Sequence, residues 1–509
     1  MTPSVRKDVI LVVDDSPDSL GMIHHALDQA GLTALVALEG EQALGIAEKM
    51  VPDLVLMDAV MPNMDGFETC RRLKQHPELA AVPVIFMTGL TDAEDVVRGL
   101  EAGGVDYVTK PVRPDELIAR TFALRTLTRR HVHETMVDFW TNLLYVPAGE
   151  GRSWPWRADY DRVVRQHALG TFVDLLKATV THPAMTGYLT NDLNRKGALN
   201  ENLGREVLEL HTVGREAGYS EREVVASSKL LTGFTLDTTT TFRAGYAPER
   251  HATGRVRVLD FTHRNADADG RPALDAYLEH LALHPSTARR LARRLAVRFV
   301  SDDPPRGLVR EVAKAYRRSG SDIPTTLRAL VDHPAFRRAR WEKTRNPSDD
   351  VVHMARVLGL QPSGATDSSA FIWYLVRQAA AQGQVSFRWP TPDGWPEHGA
   401  GYLSASRVLR AWRSRYDVSG TAGPVLLSVD VPSKASQLPD RWPLTLAQVV
   451  DHQSQLLLGR AADKPLVRAV ARTLDVPATT VLSGPDDLSD QHYRLLRGTV
   501  LNAPRGLQR

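Results

Sequence analysis

Residues 53–66 read DLVLMDAVMPNMDG. A short apolar run stops at one carboxylate, Asp58, and a loop containing Pro62, Asn63 and Gly66 follows at once. A run of this length bounded by turn residues reads as a buried strand rather than a helix. An acid at the end of such a strand points to the edge of a sheet, where open α/β sheets receive ligands.

Reading outward, the pattern repeats on both sides. Upstream stand the strand VILVVDD (9–15), the helix SLGMIHHALDQAG (19–31) with Gly31 as its cap, the strand TALVAL and the helix GEQALGIAEKM. Downstream come the helix GFETCRRLKQH, the strand VPVIFMTG, the helix DAEDVVRGLEAG, the strand VDYVTK and the helix RPDELIARTFALRTL. That makes five β/α units. Their strands are nearly continuous apolar runs, as expected where helices cover both faces. The expected fold is an α/β doubly wound, five-stranded parallel sheet of the flavodoxin-like kind.

The polar residues at the C-terminal strand ends are Asp14 and Asp15, Asp58, Thr88 and Lys110. Three carboxylates converging on one edge repel one another unless a cation sits among them. Hard oxygen ligands favour Mg²⁺, which also accepts phosphate oxygens. A carboxylate beside Mg²⁺ can attack phosphorus, with Thr88 donating a hydrogen bond and Lys110 supplying charge. Taken singly, an Asp after a strand reads as a cap or turn residue, and a Thr or Lys there as solvated. The combination on five successive strand ends argues for a site.

Residues 8–128 resemble the receiver domain of bacterial two-component response regulators, on the segments VVDDS, LMDAVMPNMDG, IFMTG and GGVDYVTKP. The resemblance implies that Asp58 is the phosphoacceptor and that Asp14, Asp15, Asp58 and the main-chain carbonyl of Val60 surround Mg²⁺. It implies switch roles for Thr88 and Tyr107, a phosphate-pairing role for Lys110, and a cis Lys110–Pro111 bond. The implied partners are a histidine kinase or phosphotransfer protein, and a second receiver in a dimer.

Charge sets the first part of the chain apart from the rest. Residues 1–128 hold 11 Lys and Arg against 20 Asp and Glu, a net −9; the remainder holds 52 against 40, a net +12. Opposite balances suggest two domains, 1–128 and 129–509. The single cysteine, Cys70, excludes an intrachain disulfide. No membrane-length apolar run and no signal-peptide pattern occur, so a cytoplasmic protein is expected.

Residues 129–509 read as one large, mostly helical unit. RTLTRRHVHETMVDFWTNLLYV (125–146) runs from the last receiver helix into a new one, with Val132, Met136, Phe139, Trp140 and Leu143 on one face. ALNENLGREVLELHTVG reads as a helix ending before Gly214, and SEREVVASSKLLTG opens on a capping box, Ser220 with Glu223. The segments MVDFWTNLL, NENLGREVLELHTVG, YSEREVVASSKLLTGF, HPSTARRLARRLAVRFVSDDPP and FRWPTPDGWP resemble the bacterial family called domain of unknown function 1800. That resemblance implies a helical protein without an agreed activity, and here the family's usual opening segment is replaced by the receiver-like region. The pairing is consistent with a natural fusion, an engineered chimera or a gene-assembly artefact.

Four features of this half could carry chemistry. Asn265, Asp267 and Asp269 alternate before Gly270 like the first half of a Ca²⁺ loop, or form a polar loop with Asx turns. His211, near Glu206 and Glu209, could serve a metal or proton transfer, or sit at a helix end favoured by the dipole. The loop SFRWPTPDGWP (386–396) could stack a ring or pack on its own domain. Arg289, Arg290, Arg293, Arg294 and Arg298 form adjacent i,i+4 rows that could contact nucleic acid, giving a DNA-binding regulator, or form a solvated face paired with acids such as Asp302 and Asp303.

Overall fold

The computed structural model describes residues 9–15, 20, 33–80, 82–88, 102, 106–109, 114–149, 151–238, 242–362, 368–420 and 429–508, with some of these by backbone alone. The chain divides into two compact units, the first ending at Arg120 and the second starting at Thr121, inside the helix Pro114–Leu127. The expected boundary at 128/129 falls one residue past that helix.

In the first unit, β1 (Val9–Val13), β2 (Thr33–Ala37), β3 (Leu54–Asp58), β4 (Val84–Thr88) and β5 (Asp106–Thr109) form a sheet in the order β2-β1-β3-β4-β5. Every pairing is parallel. The side-chain period of two divides β1 between two cores. Leu11 and Val13 pack with Val55, Met57, Phe67 and Phe86 on one face. Ile10 and Val12 pack with Leu20, Leu54 and Leu56 on the other. The helices Gly40–Lys49 and Gly66–Gln75 follow β2 and β3. The helices expected over 19–31 and 92–103 lie outside the described residues.

The second unit is mainly helical. Helix His131–Leu143 sends Met136, Phe139, Trp140 and Leu143 into a core with Phe172, Leu208, Tyr277 and Leu295. Trp140 satisfies its indole by donating to the carbonyl of Ala168 at 3.0 Å. Val132, expected on the same face, is 64% exposed, because it stands in the first turn where the helix leaves that core. Ser220 and Glu223 form the capping box at the start of helix Glu221–Leu230. Strands Val256–Val258 and Phe261–His263 pair as an antiparallel hairpin.

The stretch read as one helix over 198–214 is shorter and uneven. It is α-helical over Asn202–Glu206 and widens to a π-turn over Val207–His211. The wider turn lets the Thr212 hydroxyl donate to the carbonyl of Val207 at 2.6 Å. Such turns inside helices recur at functional sites.

Candidate functional site

Strand register decides where the three acids stand. β1 and β3 are hydrogen-bonded neighbours with Val13 opposite Met57, so Asp14 and Asp58 leave adjacent strands at the same end. Asp15 follows directly. One carboxylate oxygen from each of Asp14, Asp15 and Asp58 lies within 4.8 Å of the others. Asp14 is buried, Asp58 half-buried and Asp15 exposed. Burial raises the pKa of Asp58 above the usual carboxylate range, and the charges of Asp14 and Asp15 raise it further. The main-chain N–H of Val60, donating to Asp58 Oδ1 at 3.0 Å, and that of Ala59 oppose this rise.

The loop after Asp58 is built to hold that geometry. Asn63 takes a left-handed conformation, φ 66°, which an Asn tolerates better than most residues. Asp65 then caps the next helix by accepting from Glu68 N at 2.7 Å. Gly66 donates to the Ala59 carbonyl at 3.0 Å, closing the loop. A Cβ on Gly66 would lie 2.0 Å from the Asp58 carbonyl oxygen, so only glycine fits. The sequence marks Gly66 only as a turn residue; the Asp–Gly pair opening a helix is the signal for this close approach.

This donor set of hard oxygens fits a divalent cation. Like charges this close repel one another, and Mg²⁺ would relieve that cost while keeping positions for further oxygens. Thr88 ends β4 and Tyr107 lies on the neighbouring β5, so the backbone brings both to the same sheet. The side chains of Thr88 and Tyr107, and all of Lys110 and Pro111, lie outside the described residues.

The features expected in the second unit meet different fates. The arginine rows are not a surface patch. Arg298 is 2% exposed, pairs with Asp138 at 2.7 Å and Asp349 at 3.1 Å, and reaches Glu397 at 3.5 Å. Arg125 joins the same acids, contacting Asp138 at 3.1 Å and Asp349 more closely. Arg290 donates to the carbonyl of Leu210. Only Arg289 and Arg293 of the five are exposed, and Asp302 pairs with Lys343 rather than with this helix. The rows turn inward because the acids that receive them come from distant segments.

Of Asn265, Asp267 and Asp269, two are engaged within the protein. Asn265 is buried, with its amide oxygen 2.9 Å from His251 Nε2 and its amide nitrogen donating to Ala252 O. Asp269 is bound by the Arg271 guanidinium at 2.8 Å. The loop has no side chain to spare for Ca²⁺, apart from exposed Asp267. His211 is fully buried and neither ring nitrogen has a hydrogen-bond partner among the described residues. Burial, with Arg290 and Arg294 beside it, lowers its pKa to about 3, so it is neutral rather than a dipole-favoured cation. Trp389 and Trp395 pack with ring centroids 4.7 Å apart, and the main-chain N–H of Trp395 donates to Asn142 Oδ1 at 2.7 Å, so the loop packs on its own domain.

A family model described as Protein of unknown function (DUF1800) matches residues 41–504. The N-terminal quarter is similar to DNA-binding response regulator MtrA of Mycolicibacterium smegmatis, 42% identical over 125 residues, which are 25% of this chain and 52% of that protein. It is also similar to Response regulator PleD of Caulobacter vibrioides, 39% identical over 120 residues, 24% of this chain and 26% of that protein. The chain thus spans about half the length of MtrA and about a quarter of PleD. Among solved structures, Vibrio cholerae chemotaxis protein CheY4 is 30% identical, covering 22% of this chain and 94% of that one, with a TM-score of 0.21. No helix among the described residues is long and apolar enough to cross a membrane.

Proposed function

We propose a function for a chain that belongs to the family Protein of unknown function (DUF1800) and carries a response-regulator receiver at its N-terminal end: it accepts a phosphoryl group on Asp58 and thereby controls its helical part. The observation that carries this reading is the cluster of Asp14, Asp15 and Asp58 at one sheet edge. Asp14, Asp15, Asp58 and the Val60 carbonyl would hold Mg²⁺, which supplies charge neutralisation for an incoming phosphoryl group.

The chain's own residues do the rest. The Asp58 carboxylate attacks phosphorus of a phosphohistidine donor; the new bond joins its oxygen to phosphorus, and the P–N bond to the histidine breaks. The Val60 N–H on Oδ1 fixes the carboxylate plane for that attack. Thr88 would donate to a transferred oxygen and Lys110 would pair with the added charge, while Tyr107 follows Thr88 as the switch. The donor would be a histidine kinase or phosphotransfer protein, and receiver pairing could bring two chains together. We take residues 1–128 as the receiver and 129–509 as its output.

A DNA-binding output through the arginine helix loses its support, because Arg290, Arg294 and Arg298 are turned into the protein. The test is incorporation of hydroxylamine-labile phosphate from acetyl phosphate. Wild type with Mg²⁺ should label, whereas Asp58→Asn, or wild type with EDTA, should not. Label that survives either change would overturn the assignment.

A further inference from the structure

The π-turn ending at His211 forms one wall of a cleft of about 790 Å³ that the receiver chemistry leaves unused. The helix Pro285–Phe299 forms a second wall, and the loop from Asp393 to His398 a third. This volume lies in the range of small-molecule sites, roughly 300–1,000 Å³.

The charges in the cleft are unevenly matched. Its carboxylates are mostly engaged. Glu209 pairs with Arg215 at 2.6 Å. Asp393 accepts from Trp389 Nε1 at 3.0 Å and from the Thr391 hydroxyl. Glu397 accepts from Asn142 at 3.1 Å and faces Arg298. Glu216 stands exposed at the rim. The arginines are only partly matched: Arg290 feels the charges of Glu209 and Glu216, and Arg294 those of Glu397 and Asp393. Arg290 is bonded to one main-chain carbonyl, that of Leu210. The buried Nε of Arg294 has no hydrogen-bond partner among the described residues. Arg293 is exposed on the same wall. His211, behind Arg290 and Arg294, is neutral and offers them no countercharge.

Two further details show a prepared site. Gly214, at φ 76°, lets Arg290 approach: a Cβ there would lie 3.0 Å from Arg290 Cδ. Trp395 lines the cleft, and its indole Nε1 is buried without a hydrogen-bond partner among the described residues.

We propose that this cleft binds a small organic phosphate, with the phosphoryl group on Arg290, Arg293 and Arg294 and a flat ring against Trp395. Guanidinium forks match phosphate oxygens and hold them by charge-assisted hydrogen bonds. An aromatic wall beside them adds stacking on a ring. A recessed cleft of this size suits a single small molecule better than a polymer, which needs an open track.

The experiment uses the full chain and adenosine monophosphate, inorganic phosphate and adenosine as probes, read by calorimetry and by tryptophan fluorescence. Adenosine monophosphate should bind, with phosphate and adenosine each weaker by about ten-fold or more. Arg294→Gln should weaken it by roughly ten- to a hundred-fold, and Trp395→Leu should remove most of its advantage over phosphate. Arg293→Gln, at an exposed position that does not threaten folding, should lose several-fold and carries the test if Arg294→Gln does not fold. Asp58→Asn should bind as wild type does, which separates this site from the receiver. No binding at millimolar probe would overturn the proposal. So would binding unchanged in Arg293→Gln, or binding lost on Arg310→Gln and Arg317→Gln, which lie outside this cleft.

Discussion

Two clusters of charge in this protein use the same residue types to opposite ends. At the sheet edge, Asp14, Asp15 and Asp58 bring like charges within 4.8 Å, and burial first, then the Asp14 and Asp15 charges, make Asp58 harder to ionise. In the helical unit, Arg125 and Arg298 meet Asp138, Asp349 and Glu397. There burial works against the Arg298 charge, but the three carboxylates outweigh it and hold the guanidinium firmly protonated. A matched buried cluster is architecture. A cluster of one sign has the donor set to hold a cation.

Breaking the matched cluster should have the largest effect. Arg298→Met leaves Asp138, Asp349 and Glu397 with one of the cluster's two arginines, Arg125, which pairs with Asp138 and Asp349; the loss should cost about 3–5 kcal/mol. Calorimetry on the full chain should show the loss in the helical unit's transition; a change under about 1 kcal/mol would mean the cluster is not structural.

At the sheet edge the corresponding test is steric. Gly66→Ala forces a Cβ against the Asp58 carbonyl and should cost about 1–3 kcal/mol, since the contact is with backbone. It should also slow phosphoryl transfer by moving Asp58. An unchanged melting temperature together with an unchanged labelling rate would show that the loop yields freely.

His211 adds a third kind of buried group, one kept neutral. Its folded pKa, about 3, lies below the usual 6.5, so the unfolded chain takes up the proton first. Its contribution to stability is therefore complete above about pH 6.5 and is lost as pH falls toward 3, by about 1.4 kcal/mol per pH unit. Chemical denaturation at pH 7, 6 and 5 should show that slope in wild type and a slope shallower by one proton in His211→Leu. Identical slopes would mean that His211 is hydrated.

The smallest effect should come from relieving the like charges. With its folded pKa raised, the ionised Asp58 costs stability at neutral pH: the contribution is intact below the unfolded value of 3.8 and is lost as pH rises through the folded one. Asp58→Asn should therefore stabilise the metal-free receiver, by less than about 1 kcal/mol after screening. In Mg²⁺ the order should reverse. Stabilisation of the variant by Mg²⁺ equal to that of wild type would contradict the cation reading.

The receiver was legible because its signals are local. A buried strand, an acid at its end and a turn after it lie within the 14 residues from Asp53 to Gly66, and the period-two pattern assigns β1 to both cores. The arginine helix was not legible, because its meaning lies in distant partners. Arg298 meets Asp138, 160 residues away, and Asp349, 51 residues away. Spacing along one helix reveals which arginines share a face, but not what covers that face. His211 was not legible for the same reason: its position suggested a metal or proton-transfer role or a helix end favoured by the dipole, and burial by other segments decided its charge. Asn265 looked like a ligand until its amide was found to be bonded to His251 and Ala252.

The most direct test asks which carboxylate takes the phosphoryl group. Label the full chain with acetyl phosphate and Mg²⁺, reduce with borohydride, digest, and map the product by mass spectrometry. Reduction of an aspartyl phosphate leaves homoserine in place of the aspartate. The account predicts homoserine at position 58, absent when EDTA is present. Homoserine at another aspartate, or none under conditions where phosphate is incorporated, would contradict it.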